Sequence, residues 1–145
     1  MKRGEFIKIC CYSALSVPFV SVLQSCETLH FAKTTKDANK LIVARSEFWK
    51  TKKDKKTKRK FVLIKTEDIG FPICLYNHEA DIYTASLLKC THRGCELNVG
   101  GGIYSCPCHG SEFSTKGKVL EGPANKDLQT FKTAIDSENI YIYLP

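Results

Sequence analysis

After residue 40 the apolar residues alternate with polar ones or gather in short runs, and no stretch keeps a helical period for long. Leu41-Ile42-Val43 opens a first strand, and Phe61-Val62-Leu63-Ile64 forms a second. Pro72 to Tyr76 and Asp81 to Leu88 read as two more. Leu128 to Ile135 and Ile140 to Leu144 suit a closing hairpin, with Asp136 to Asn139 as its turn. The pattern predicts a mainly β, antiparallel domain. A lysine-rich stretch lies between the first two strands and is expected at the tip of a long hairpin. Apart from two short Cys/His segments, the sequence shows no internal repeat.

The first forty residues follow another pattern. Lys2, Arg3 and Lys8 precede Ile9 to Leu23, a run without charge. This is the order of a signal segment, and the run falls short of the ~20 apolar residues of a membrane-spanning helix. Pro18, Ser13, Ser16 and Ser21 weaken a spanning helix further. Leu23-Gln24-Ser25-Cys26 resembles the bacterial lipoprotein signal, in which Cys26 would be lipidated, although Gln24 replaces the usual small residue. An uncleaved anchor and an ordinary cleaved signal are the alternatives. Lys2 to Lys8 also resembles a twin-arginine export signal, with Gly4 where the second Arg belongs. The expected organisation is therefore a signal or anchor over 1–25, a polar tether over 26–40 and a folded domain over 41–145.

Composition narrows the class. A chain of 145 residues with 43% hydrophobic and 10% aromatic content can fill one core, which excludes disorder throughout and a large multidomain enzyme. The net charge is +7, and the stretch from Lys50 to Lys60, with eight cations against Asp54, carries all of it. The rest of the chain sums to zero. No aromatic residues interleave the lysines and no recognition motif accompanies them, so nucleic acid is not expected as a partner. The run is read as a solvated tip, or as a contact for anionic lipid or an acidic protein.

Eight cysteines are below the ~8–10% of a scaffold held by disulfides alone, yet they are not scattered. Cys90-Thr91-His92-Arg93-Gly94-Cys95 and Cys106-Pro107-Cys108-His109-Gly110-Ser111 each bring a Cys–His pair and one further Cys. Glycine and turn residues make both segments loops, and Gly100-Gly101-Gly102 lets the chain reverse between them. Two thiolates and two imidazoles could hold Zn²⁺, but Cys90-x-His92 is a tighter spacing than zinc pairs use, and zinc leaves Cys95 and Cys108 unexplained. A [2Fe–2S] cluster with two sulfur and two imidazole ligands suits the set better, and the two spare cysteines can then pair.

The two motifs, offset by sixteen residues, resemble those of Rieske iron–sulfur proteins. The resemblance implies a Rieske-type β-sandwich with a cluster-binding loop subdomain at about 90–113. It also implies a [2Fe–2S] cofactor with Cys90 and Cys106 on one iron and His92 and His109 on the other. Cys95 would pair with Cys108, and Ser111 matches the serine that donates a hydrogen bond to a cluster sulfur. Gly122-Pro123-Ala124 matches the proline-bearing loop that covers the cluster from a third side. The disulfide is similar to that of cytochrome bc-type quinol oxidoreductase subunits and of small subunits of arsenite oxidases, and it fits an oxidising compartment. Cys74 is read as a buried thiol, and His30 and His78 as surface residues.

The function implied is one-electron transfer by a membrane-tethered subunit of a respiratory complex on the periplasmic face of a bacterial inner membrane. A quinol would be the donor, a cytochrome the acceptor, and His109 the proton acceptor. A small subunit of another oxidoreductase and a stand-alone carrier are the alternatives; the 41–145 domain leaves no length for the iron domain of a Rieske oxygenase. Arg93 stands where quinol-oxidising members carry an apolar residue, and Phe113 where they usually carry Tyr. Phe113→Tyr is therefore expected to raise the midpoint potential in voltammetry, and an unchanged or lowered value would overturn the assignment of that position.

Overall fold

The computed structural model describes residues 29–79 and 81–145. The expected signal segment and Cys26 lie outside the described residues, among which no helix is long and apolar enough to cross a membrane. The architecture is antiparallel β, as the pattern predicts. A seven-stranded sheet contains β1 (Thr34–Asp37), β2 (Lys40–Ala44), β5 (Phe61–Ile64), β6 (Ile73–Glu79), β7 (Ile82–Leu87), β12 (Thr130–Ile135) and β13 (Asn139–Tyr143). Its strand order is β1-β2-β13-β12-β7-β6-β5. A second sheet, of order β11-β10-β9-β8, is built from β8 (Asn98–Gly100), β9 (Ile103–Ser105), β10 (Glu112–Ser114) and β11 (Val119–Glu121). The remaining pair is β3 (Trp49–Lys52) with β4 (Lys55–Lys58).

The burial of each strand follows its residue pattern. In β2, Leu41 and Val43 point inward while Lys40, Ile42 and Ala44 are half-exposed; in β13, Ile140 and Ile142 are the buried pair. They form one core with Val62, Ile64, Ile73, Leu75, Ala85 and Phe131. All four residues of β5 are buried, because the strand is covered on both faces. Val62 and Ile64 face the large core, whereas Phe61 and Leu63 join Cys74, Leu88, Leu97, Tyr104 and Phe113 in a second core under the four-stranded sheet. An unbroken apolar run marks such a doubly covered strand.

Strand register separates two poles. Ile64 pairs with Ile73 and Ile73 with Leu87, so the segment leading to Cys90 leaves from one pole. Phe61, Glu79 and Ile82 lie at the other, joined by the β2 end and the β12–β13 turn, where Arg45 bonds to Asp81 and to the Asp136 carbonyl. One 3-10 turn, Arg45–Phe48, caps this second pole and buries Phe48 completely against Tyr83, with ring centroids 5.3 Å apart.

Three expectations are corrected. The polar tether over 26–40 ends early, because residues 34–37 form an edge strand; three of its four residues are exposed, so it shows no apolar alternation. Just before it, Leu63 N–H bonds to the His30 carbonyl and Ala32 N–H to the Leu63 carbonyl, each at 2.8 Å. This one segment bonds to one outer strand, β5, and continues into the other, β1, which curls the sheet toward a barrel. Second, β2 and β5 are not hairpin partners, and the lysine stretch folds into its own β3–β4 ribbon at the second pole. Third, His30 and His78 are half-buried: His30 Nε2 lies 2.6 Å from Glu47 Oε2, and His78 Nε2 lies 2.9 Å from Thr84 Oγ1. Burial, followed by the nearby Lys116, holds the His78 pKa below its ordinary value.

The two sheets meet at Gly117, whose φ is +81° and whose carbonyl accepts the Leu128 amide. A Cβ there would stand 3.1 Å from Thr130 Cγ2 and 3.4 Å from Leu128 Cβ, whereas one on Gly101 (φ +59°) meets nothing within 4 Å. Gly101→Ala bears backbone strain alone, so it is expected to cost less than Gly117→Ala, which should lose at least about 1–3 kcal/mol in guanidinium unfolding. Equal losses would show that Gly117 is not a point of close packing between the sheets.

Candidate metal centre

The two Cys/His loops have the same backbone. Cys90 N–H bonds to the Cys95 carbonyl at 2.8 Å, and Cys106 N–H to the Ser111 carbonyl at 2.8 Å. Within each loop the glycine amide returns to the first cysteine, Gly94 to Cys90 at 2.8 Å and Gly110 to Cys106 at 3.0 Å. Both glycines sit at positive φ, +80° and +78°, which closes the turn without a Cβ penalty. Aligned this way, Cys90 corresponds to Cys106, but His92 occupies the third position of its loop and His109 the fourth. The sequence shows two related segments; only the hydrogen bonds show that the first cysteines are structural equivalents.

The loops sort the side chains by exposure. Cys90 and Cys106 are buried, at 2% and 4%, and are free thiols, while His92 and His109 are exposed. The two imidazole rings lie with centroids 5.1 Å apart, edge to face. Burial alone would raise the Cys106 pKa, but the Cys108 and His109 amides and the Cys90 thiol outweigh it, and the thiol is held below its ordinary value. Cys95 and Cys108 form a disulfide with Cα atoms 6.5 Å apart, as the resemblance implies. The sulfurs of Cys95, Cys106 and Cys108 all lie within 4.8 Å of one another, but the disulfide leaves only Cys106 of the three as a ligand.

A third loop fastens the other two. Ala124 N–H donates to Ser111 Oγ at 2.9 Å, and Thr91 Oγ1 donates to the Lys126 carbonyl at 2.6 Å. Gly122-Pro123-Ala124 is therefore held against the second loop, and the residues just after it against the first. Ser111 is fully buried and accepts this bond, which leaves its hydroxyl proton free to donate. Thr91 and Lys126 were not legible in the sequence as site residues, because a side chain to backbone bond across 35 residues leaves no local pattern. Arg93 faces solvent, and Phe113 is fully buried.

Cys74 is the buried thiol expected. Burial pushes its pKa up to about 12, against a smaller lowering influence of the neighbouring Tyr104 hydroxyl. Tyr104 is also fully buried, and its pKa is raised by desolvation and by Cys74; its hydroxyl donates to the Thr115 carbonyl at 3.3 Å. This pair packs beneath the loops in the second core and has no access to their ligands' outer side.

Two buried thiols beside two exposed imidazoles form a mixed soft and borderline donor set that fits a [2Fe–2S] cluster with two sulfur and two nitrogen protein ligands.

Comparisons with known proteins agree. The Rieske [2Fe-2S] domain model matches residues 41–132. The cytochrome b6-f complex iron-sulfur subunit of Synechococcus sp. (strain JA-2-3B'a(2-13)) is 43% identical over 53 residues, 35% of this chain and 31% of that protein. The subunit of the same description from Prochlorococcus marinus (strain MIT 9303) is 38% identical over 55 residues, 37% and 31% of the two chains. The chain thus spans under a third of the length of these curated relatives. Among solved structures, the cyanobacterial plasma membrane Rieske protein PetC3 from Synechocystis PCC 6803 is 36% identical, with a TM-score of 0.51 over 57% of this chain and 85% of that one.

The disulfide closes a span of 13 residues across the two loops. Replacing Cys95 and Cys108 together by Ser is expected to lower unfolding stability by about 3 kcal/mol through loop-closure entropy. A loss under about 1 kcal/mol in denaturant titration would mean that the backbone bonds and the third loop already hold the two loops together.

Proposed function

Because the chain belongs to the Rieske [2Fe–2S] domain family, we propose that it carries single electrons as a membrane-tethered subunit of a respiratory complex, from a quinol to a cytochrome. The observation that supports this best is the pairing of buried Cys90 and Cys106 with exposed His92 and His109 at one tip. Cys90 and Cys106 would hold the inner iron, and His92 and His109 the outer one. A cluster so held supplies a one-electron couple whose potential imidazole ligation raises above that of four-cysteine clusters.

The chain's own residues set the conditions. The loops keep both thiols out of water, and the disulfide and the third loop fix their spacing. Ser111, whose Oγ accepts the Ala124 amide, would be left with its hydroxyl proton to donate to a sulfur, which would favour the reduced state. His92 and His109 face solvent, so each can exchange a proton at the ring nitrogen not used as a ligand, with His109 as the acceptor from quinol. The N-terminal segment, with Cys26 as the lipidated residue, attaches the domain to the periplasmic face of the bacterial inner membrane.

One observation favours a second reading. Lys89, Arg93 and Lys126 share a shallow depression with His92. Three cations beside the exposed imidazole suit an acidic protein surface better than an apolar quinol pocket. That arrangement supports a small electron-transfer subunit of another oxidoreductase.

Iron-loaded full-length protein reduced with dithionite is expected to give a Rieske EPR signal. Ser substitutions at His92 or His109 should abolish it, whereas His78→Ser should leave it intact; its absence from iron-replete wild type would remove the reading. The midpoint should also fall with rising pH, by up to about 59 mV per unit for one proton per electron, because oxidation favours the deprotonated imidazole. A midpoint flat from neutral to alkaline pH would refute coupled proton transfer.

A further inference from the structure

The β3–β4 ribbon takes no part in the metal centre, yet its design is costly. Lys52 pairs directly with Lys55 across the ribbon, and like charges in that position repel. Its two turn residues, Lys53 and Asp54, are at φ +47° and +61°, a region that Asp tolerates and Lys disfavours. Among the described residues, none of Lys50, Lys52, Lys53, Lys55, Lys56 and Lys58 enters an ion pair, while Lys36, Lys40, Arg45 and Lys118 all do. The single tryptophan of the chain, Trp49, stands at the ribbon base, 43% exposed, with Lys56 Nζ 4.9 Å from its ring centroid. Arg59 fixes that base, with Nη1 donating to the carbonyls of Glu47 at 3.0 Å and Trp49 at 2.6 Å. The cations are therefore projected from a braced support.

The chain also enters the domain at this pole. Residues 30–32 run parallel to β5, starting from the Phe61 end, and His30 contacts Glu47 beside the ribbon. The uncharged stretch 9–23 precedes them in the sequence.

We propose that the β3–β4 ribbon docks on the surface of an anionic lipid bilayer, with its lysines over the head-group phosphates and Trp49 at the interface. The inference rests on the reading of the N-terminal segment as the membrane attachment, since that brings this pole to the bilayer. The charge is complementary and diffuse. Lysine, a point charge on a flexible stem, can follow a fluid layer of phosphates without a fixed partner geometry. Tryptophan favours the head-group level. In this pose His92 and His109, at the opposite pole, point away from the bilayer, which favours the second reading, an acidic protein partner in the aqueous phase, over a quinol held in the membrane.

The test uses the full iron-loaded chain with vesicles of phosphatidylcholine alone or of phosphatidylcholine and phosphatidylglycerol in equal parts. Partitioning should favour the anionic vesicles, the preference should vanish at high salt, and Trp49 emission should shift to the blue only on them. Each lysine replaced by Gln should weaken the preference about fivefold, and the combined Lys50, Lys52, Lys55 and Lys56 variant at least about 100-fold. An unchanged EPR signal shows that this variant is folded. Equal partitioning to both vesicles, a preference that survives the combined variant, or binding to polyglutamate without any lipid preference would overturn the proposal. Binding to anionic vesicles with none to phosphatidylcholine would support it and overturn the anchor reading instead.

Discussion

Burial of the β5–β6 pair on both faces is the constraint on which the rest depends. Val62, Ile64, Ile73 and Leu75 belong to the curled sheet's interior, and Phe61, Leu63 and Cys74 to the core under the loops. The same strands thus serve two cores. The metal-binding loops contain little that can pack, being made of glycine, turn residues and ligands. Their support is borrowed through Leu88, Leu97, Tyr104 and Phe113, which rest on the outer face of those strands. Without that second layer, Cys90 and Cys106 would be exposed on a pair of short turns.

The site then divides its own environment. Thiols point inward, to the dry side, and imidazoles outward. The disulfide, the Ala124–Ser111 bond and the Thr91–Lys126 bond each tie a different pair of loops, so three independent links define one tip. This distribution matters because small displacements of ligand-bearing turns are otherwise opposed only by backbone bonds near the surface.

Much of this was legible in the sequence where apolar residues carried it. Phe61 to Ile64 and the closing hairpin lie close to where the pattern puts them, and the two Cys/His motifs meet at one tip. What escaped was polar. Thr34–Asp37 is a strand by virtue of its neighbours' hydrogen bonds, and β3–β4 is exposed along nearly its whole length, so neither leaves a hydrophobic period. The strands of three residues in the small sheet are too short for any period to show. The equivalence of the two loops is held in backbone bonds, which side-chain identity does not record.

The segment that enters beside β5 and continues into β1 has a mechanical consequence. It runs from the ribbon pole toward the loop pole, parallel to β5 and antiparallel to β2. A pull on its N-terminal end, with the loops held by a partner, acts along the strand axis. The two bonds to Leu63 and the β1–β2 ladder are then loaded together in shear, and do not open one after another as a zipper does. The domain meets the residues that precede it through a connection suited to bearing tension.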